Sequence, residues 1–186
     1  GVRIQQKKNE LEISGPIDLS DKTVSINTRM SGASTRILIG LAALRKGLTR
    51  IEGHESLRKR TNEPILETLE QMGCIVKREG VGLPVEVSGP VMNPELEIAG
   101  NISSQYVTAL LLISPFLNQE ESVAIKIKGD LVSKPYIDIT VNEMRKRGLR
   151  VRWNGSRDLV IESGAYSEGE YSIEGDATAA SYFSAL

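Results

Sequence analysis

The sequence has one cysteine, Cys74, and one histidine, His54. A single cysteine excludes an intrachain disulfide, and one of each excludes a His/Cys metal cluster. An excess of charge is also missing, with a formal net charge of −1 over 186 residues. That argues against a general nucleic-acid coat but leaves room for a local anion site. Long apolar runs are missing too. The longest, Ile37–Leu44 and Val107–Ile113, fall well short of the roughly 20 residues that span a bilayer. Residues 1–20 alternate polar and apolar and are broken by Arg3, Lys7, Lys8 and Glu10, unlike a secretory signal. No Ser/His/Asp set, Walker A or dinucleotide fingerprint is present. The expectation is a cytoplasmic globular protein with no membrane or nucleic-acid partner. Its 40% hydrophobic and 25% charged composition can bury a real core.

The ends are unusual. The chain opens at Gly1 and stops at Leu186, just behind the apolar run Ala179, Ala180, Tyr182, Phe183. A helix cut there leaves its apolar face without neighbours. The expectation is a piece of a longer protein.

An internal repeat organises what is there. Gly73, Gly80 and Gly89 recur as Gly148, Gly155 and Gly164, each pair 75 positions apart. Cys74–Arg78 and Leu149–Trp153 both read as alternating strands closed by a turn. Val85–Gly89 matches Val160–Gly164 in type. Upstream, each copy predicts a short strand, a helix starting at serines (Ser31–Lys46, Ser103–Leu117) and a strand ending in Gly (Leu48–Gly53, Val123–Gly129). A helix with Pro in its first turn comes next (Thr61–Met72, Pro135–Arg147). Two strands close each copy, so the unit is βαβαββ. Val2–Ile4 and Glu10–Ile13 resemble the last two strands of an earlier copy. The division is residues 1–20 for that tail, 21–90 and 91–174 for two complete units, and 175–186 for a closing segment.

The helices differ in kind. Ile37–Leu44 and Val107–Ile113 are apolar nearly all round, which predicts burial on all sides. Ile65, Leu66, Leu69, Met72 and Ile137, Val141, Met144 form one-sided stripes. Central helices with sheets outside are therefore expected, in preference to a helix-covered open sheet, because the strands alternate as half-exposed strands do.

Both all-apolar helices begin with small hydroxyl residues, Ser31-Gly32-Ala33-Ser34 and Ser103-Ser104-Gln105. A helix N-terminus offers free N–H groups and positive dipole, and Gly32 allows close approach. Arg29, Arg36, Arg58, Lys59, Arg60 and Lys134 lie nearby in sequence. Serine there can be no more than an N-cap, and the basic run a solvated face. The recurrence in both copies favours one convergent anion site.

Four segments carry a resemblance. Ser31–Arg36 resembles an N-S-G-T-x-x-R helix start, and Gly53–Arg60 a G-D-x-S-L-x-x-R-P segment. Ser103–Tyr106 with Ser133–Ile137 resembles S-S-Q-F and S-K-P-Y-I, and Glu174–Phe183 resembles E-G-D-A-S-S-A-S-Y-F. Together they resemble 3-phosphoshikimate 1-carboxyvinyltransferase, or EPSP synthase. The resemblance implies an α/β, inside-out barrel-like lobe of βαβαββ units around buried parallel helices, one of two lobes in a monomeric enzyme. It implies transfer of the enolpyruvyl group of phosphoenolpyruvate to the 5-hydroxyl of shikimate 3-phosphate in aromatic amino-acid biosynthesis, with no metal or organic cofactor. By position it assigns shikimate 3-phosphate to Ser103, Ser104, Gln105, Ser133 and Tyr136, and phosphoenolpyruvate to Gly32, Arg60 and Gln105. Arg36 would support the Gly32 turn.

Met30, Ala33 and Thr61 depart from those motifs, and the first two flank the phosphoenolpyruvate-binding turn. The resemblance puts no catalytic residue in this chain. The acid/base groups belong to a second lobe, to which residues 175–186 would cross, so the chain alone is expected to be inactive. Two rivals stand beside this reading. One is UDP-N-acetylglucosamine 1-carboxyvinyltransferase, which usually carries a reactive cysteine in a loop, whereas Cys74 is read here as starting a strand and Ser133–Tyr136 fits the shikimate enzyme better. The other is a stand-alone anion-binding module.

Overall fold

A computed structural model describes residues 2–16, 19–92, 96–117 and 120–184. The side chain of Ala179, in the terminal apolar run, and the last residue, Leu186, lie outside that set. Strands β1 (Arg3–Lys7) and β2 (Glu10–Ser14) form a separate antiparallel hairpin with Ile4, Leu11 and Ile13 exposed. Then come β3 (Val24–Asn27), α1 (Gly32–Ala42), β4 (Thr49–Glu52), a one-turn helix α2 (Glu55–Arg58), α3 (Glu63–Gln71), β5 (Ile75–Arg78) and β6 (Val85–Ser88). The second set is β7 (Leu96–Ala99), α4 (Ser104–Ile113), β8 (Val123–Lys128), α5 (Lys134–Lys146), β9 (Val151–Asn154) and β10 (Asp158–Ile161). A last helix, α6 (Ala177–Ser184), presents Tyr182 and Phe183 to solvent.

The two sets have the same topology. Their sheets run β3-β4-β6-β5 and β7-β8-β10-β9. In each, the first pair is parallel and the rest antiparallel. The parallel pair needs a crossover, which α1 and α4 supply. The alternation read from sequence holds in space: β8 buries Val123, Ile125 and Ile127 and exposes the residues between. Each sheet thus turns one face to the helices and the other to water, leaving the helices inside. Among the described residues the strands form separate sheets rather than one closed barrel.

The central helices are α1 and α4. Arg36 meets Gln105, and four residues further on in both helices Gly40 meets Ala109. Contacts that advance together along both chains mean that the helices are parallel, with their N-termini at one end. A Cβ on Gly40 would stand 3.1 Å from the Ala109 carbonyl oxygen, so the missing side chain is what lets the backbones close up.

Burial of these helices is unequal. In α4, Tyr106, Val107, Ala109, Leu110, Leu111 and Ile113 are all buried. In α1, Ile37, Leu38 and Leu41 remain partly exposed. The expectation of burial on all sides therefore holds for most of α4 and not for α1. An all-apolar surface says that a helix can be surrounded, not how many neighbours are present to surround it. The Pro-started helices are one-sided as read: Ile65, Leu66 and Leu69 in α3, and Ile137, Val141 and Met144 in α5, face the core.

Candidate functional site: an anion-binding notch at the helix N-termini

The site is built where the parallel pair begins. Ser31 caps α1, its Oγ accepting from the Ser34 N–H at 3.2 Å. The turn before it is tied down. Thr35 Oγ1 donates to the Ser31 carbonyl at 2.9 Å, Thr28 Oγ1 to the Glu52 carbonyl at 3.0 Å, and the His54 N–H to the Arg29 carbonyl at 2.6 Å. Ser103 caps α4 through the Gln105 N–H at 3.3 Å. The cap reading of both serines is therefore correct. It leaves the Ser103 hydroxyl hydrogen free to serve a ligand, whereas that of Ser31 is already donated to Ser34 Oγ at 2.8 Å.

Arg36 connects the two starts. Its Nη1 donates to Gln105 Oε1 at 2.8 Å, and its guanidinium carbon lies 5.3 Å from the centre of the Tyr106 ring. A Cβ on Gly32 would lie 2.6 Å from Arg36 Nη1 and 3.4 Å from an Arg60 guanidinium nitrogen. Gly32, Thr35, Arg36, Leu57, Arg60 and Asn62 line a narrow notch here. The three residues assigned to phosphoenolpyruvate, Gly32, Arg60 and Gln105, thus meet around Arg36.

That arginine is 9% exposed. Its Nε is buried with no hydrogen-bond partner, and no carboxylate pairs with it among the described residues. Buried guanidinium groups are normally paired, because desolvating a lone charge costs several kcal/mol. The notch itself is too small to admit a water molecule, so an anion would supply the missing charge only from its outer edge, where Gly32 and Arg60 lie.

Tyr106 contributes in a way that sequence reading missed. The ring is fully buried and its hydroxyl donates to the Thr61 carbonyl at 2.6 Å. It thereby fixes the segment carrying Arg60 to the start of α4. The available signal was a tyrosine where the resembling motif has phenylalanine, since a buried hydroxyl needs a partner.

Ser133 and Tyr136 stand on the neighbouring helix. Ser133 precedes α5 in a left-handed conformation, with φ at 55° and no side-chain cap. Tyr136 is 65% exposed. Thr108 of α4 and Thr140 of α5 are hydrogen-bonded at 3.1 Å. At 1.5 Å per residue, both helix starts lie within roughly 10 Å of that contact. One elongated ligand can reach both, although among the described residues no hydrogen bond joins Ser133 or Tyr136 to the α4 serines. Of the other cations, Arg58, Lys59 and Arg60 are all exposed. Lys134 is turned away and bound to Asp138.

Cys74 lies just before β5 and is 7% exposed. Burial pushes its thiol up to about 11. Such a group is not a reactive nucleophile. Among the described residues, no group of three or more His, Cys, Asp or Glu could hold a metal, and no helix is long and apolar enough to cross a membrane.

Comparison with known proteins bears on the family and the fold. The family of EPSP synthase (3-phosphoshikimate 1-carboxyvinyltransferase) matches the chain over residues 1–186. The 3-phosphoshikimate 1-carboxyvinyltransferase of Methanosarcina mazei is 32% identical, covering 98% of this chain and 43% of the relative. That of Methanocella arvoryzae is 34% identical with the same coverage. That of Nitrosopumilus maritimus is 34% identical over 82% of this chain and 36% of its own. The chain therefore spans about two fifths of the length of these relatives. In fold it is similar to the solved EPSP synthase of Acinetobacter baumannii, with a TM-score of 0.66 and 22% identity over 91% of this chain and 38% of that one.

Proposed function

The chain belongs to the EPSP synthase family, and on that premise we propose that it forms the shikimate 3-phosphate-binding half of a 3-phosphoshikimate 1-carboxyvinyltransferase. Ser103, Ser104 and Ser133 hold the phosphate of shikimate 3-phosphate, Gln105 assists them, and Tyr136 lies against the ring. Gly32, Arg60 and Gln105 receive phosphoenolpyruvate, with Arg36 supporting the Gly32 turn and supplying charge behind it. The observation that carries this reading is the unpaired Arg36 guanidinium, buried where those residues converge. Helix N-termini and fixed cations around two anions lower the entropic cost of bringing them together and need no reorganisation when charge develops. In that reading the proton-transferring groups lie in the remainder of the enzyme, a cytoplasmic monomer, with residues 21–90 and 91–174 as two units of one lobe.

Two measurements test this. In a phosphate-release assay with both substrates, the 186-residue chain gives no turnover; turnover would overturn the division of labour. In an NMR titration, shikimate 3-phosphate shifts the amides of Ser103–Gln105. Shifts confined to other regions would remove the site. A UDP-N-acetylglucosamine-type enzyme is disfavoured by the buried, high-pKa thiol of Cys74.

A further inference from the structure

The first turn of α5 carries Tyr136 and follows directly on Ser133, so anything that fixes that turn fixes half of the proposed shikimate 3-phosphate site. Two contacts hold it from opposite flanks. On one flank, Thr140 bonds to Thr108 of α4. At 100° per residue Tyr136 lies on the same side as Thr140, whereas Lys134 and Asp138 lie on the other side. There the Lys134 ammonium donates to both Asp138 carboxylate oxygens at 3.1 and 3.2 Å. It also lies 3.8 Å from the centre of the Trp153 ring. The Trp153 indole N–H donates to Asp138 Oδ1 at 2.8 Å. Three side chains thus close a ring that clamps the start of α5 onto β9.

The arrangement differs from a surface ion pair. An exposed i,i+4 pair contributes little by itself, but here the indole face and N–H add two directional contacts from another element. Burial disfavours the Asp138 charge, yet the bonds from Trp153 and Lys134, with Arg145 nearby, hold its carboxyl below the usual range. The carboxylate is the hub of the ring. Ser133, in contrast, has no side-chain cap and sits in a left-handed conformation that a non-glycine residue adopts at a cost. Its hydroxyl orientation depends on what holds the next turn.

We propose that Asp138 and Trp153 are positioning residues for this half-site, acting through Lys134 to hold the first turn of α5 so that Ser133 and Tyr136 face a phosphorylated cyclic polyol acid. This rests on the reading above for the identity of the ligand, but the positioning itself can be measured without ligand.

The test uses Asp138→Asn and Trp153→Phe in the 186-residue chain. Asparagine keeps the size and loses the charge; phenylalanine keeps the ring face and loses the N–H. In the ligand-free chain, Asp138→Asn is expected to move the Ser133 and Tyr136 amide resonances while leaving those of Gly32 and Gln105 in place. The sole tryptophan supplies one indole N–H signal, which should also move. Shikimate 3-phosphate affinity should fall fivefold or more in Asp138→Asn and about twofold in Trp153→Phe. Unmoved Ser133 and Tyr136 amides in both variants, or unchanged affinity, would overturn the proposal. So would equal shifts across the whole chain, the mark of a general structural role. Should Asp138→Asn fail to fold, Trp153→Phe decides by the same two readouts. If the unaltered chain shows no ligand-induced shift at Ser103–Gln105, the ligand reading falls, and the ligand-free spectra still decide the positioning.

Discussion

Replacing Arg36 by methionine separates a structural cation from a functional one. The substitution removes one charge-assisted hydrogen bond, Nη1 to Gln105 Oε1 at 2.8 Å, worth about 1.5–3 kcal/mol. It also removes the cation–π contact to Tyr106 at 5.3 Å, worth about 0.5–2 kcal/mol. Against these stands the relief of a desolvated, unpaired charge, several kcal/mol in the opposite direction. Methionine fills similar volume and adapts to the Tyr106 ring. The opposing contributions nearly cancel, so R36M should change stability by no more than about 2 kcal/mol in either direction. At this chain length that moves the melting temperature by no more than about 8 °C. Ligand binding should respond differently. Losing a charged contribution of about 1.5–3 kcal/mol weakens phosphoenolpyruvate binding about 10- to 150-fold. Thermal unfolding and an NMR titration read at Gly32 and Arg60 measure the two effects. If R36M loses more than about 3 kcal/mol and still binds phosphoenolpyruvate like the parent, Arg36 is a structural cation and the notch is not an anion site.

The packing supports three further expectations. Gly40→Leu places side-chain atoms against the Ala109 carbonyl, 3.1 Å from where a Cβ would begin; overpacking there should cost about 1–3 kcal/mol in urea denaturation, and an unchanged midpoint would mean that the helices are not this close. Tyr106→Phe removes the hydroxyl bond to Thr61 and should cost about 1–2 kcal/mol while moving the Arg60 amide; an unmoved Arg60 would deny that Tyr106 positions it. Cys74 is raised from 9.0 to about 11 in the fold, so the unfolded chain loses this proton first and stability should decline as pH rises through 9–11. Tyr166, raised from 10.0 to about 12 by burial, extends the decline from pH 10 upward. Cys74→Ala should remove the lower part only, as measured by denaturation at pH 8, 9.5 and 11.

Helix ends show where sequence reading loses precision. The helix predicted over Thr61–Met72 begins at Glu63, because Asn62 is the cap residue and Pro64 sits in the first turn. The helix predicted over Ser31–Lys46 ends at Ala42. Composition shows that a segment is helical, while its last turn depends on what its carbonyls meet. The single turn of α2 had no legible signal, since four residues carry no period. The ring of Lys134, Asp138 and Trp153 was equally hidden, because its members are 4 and 15 residues apart and one of them is on a strand.

By itself the sequence determined the repeat, the kinds of helix and the hydroxyl-rich starts, because periodicity, capping and turn chemistry act over a few residues. It also carried the motifs that tie the chain to its family. Tertiary structure decided what those starts became. Arg36 and Gln105 are 69 residues apart, and Tyr106 and Thr61 are 45 apart. Only the parallel packing of α1 and α4, closed at Gly40, brings them to one end. The same packing leaves part of α1 open to solvent and Arg36 without a counter-charge. Those are properties of neighbours, and a residue's own sequence context cannot specify how many neighbours it will have.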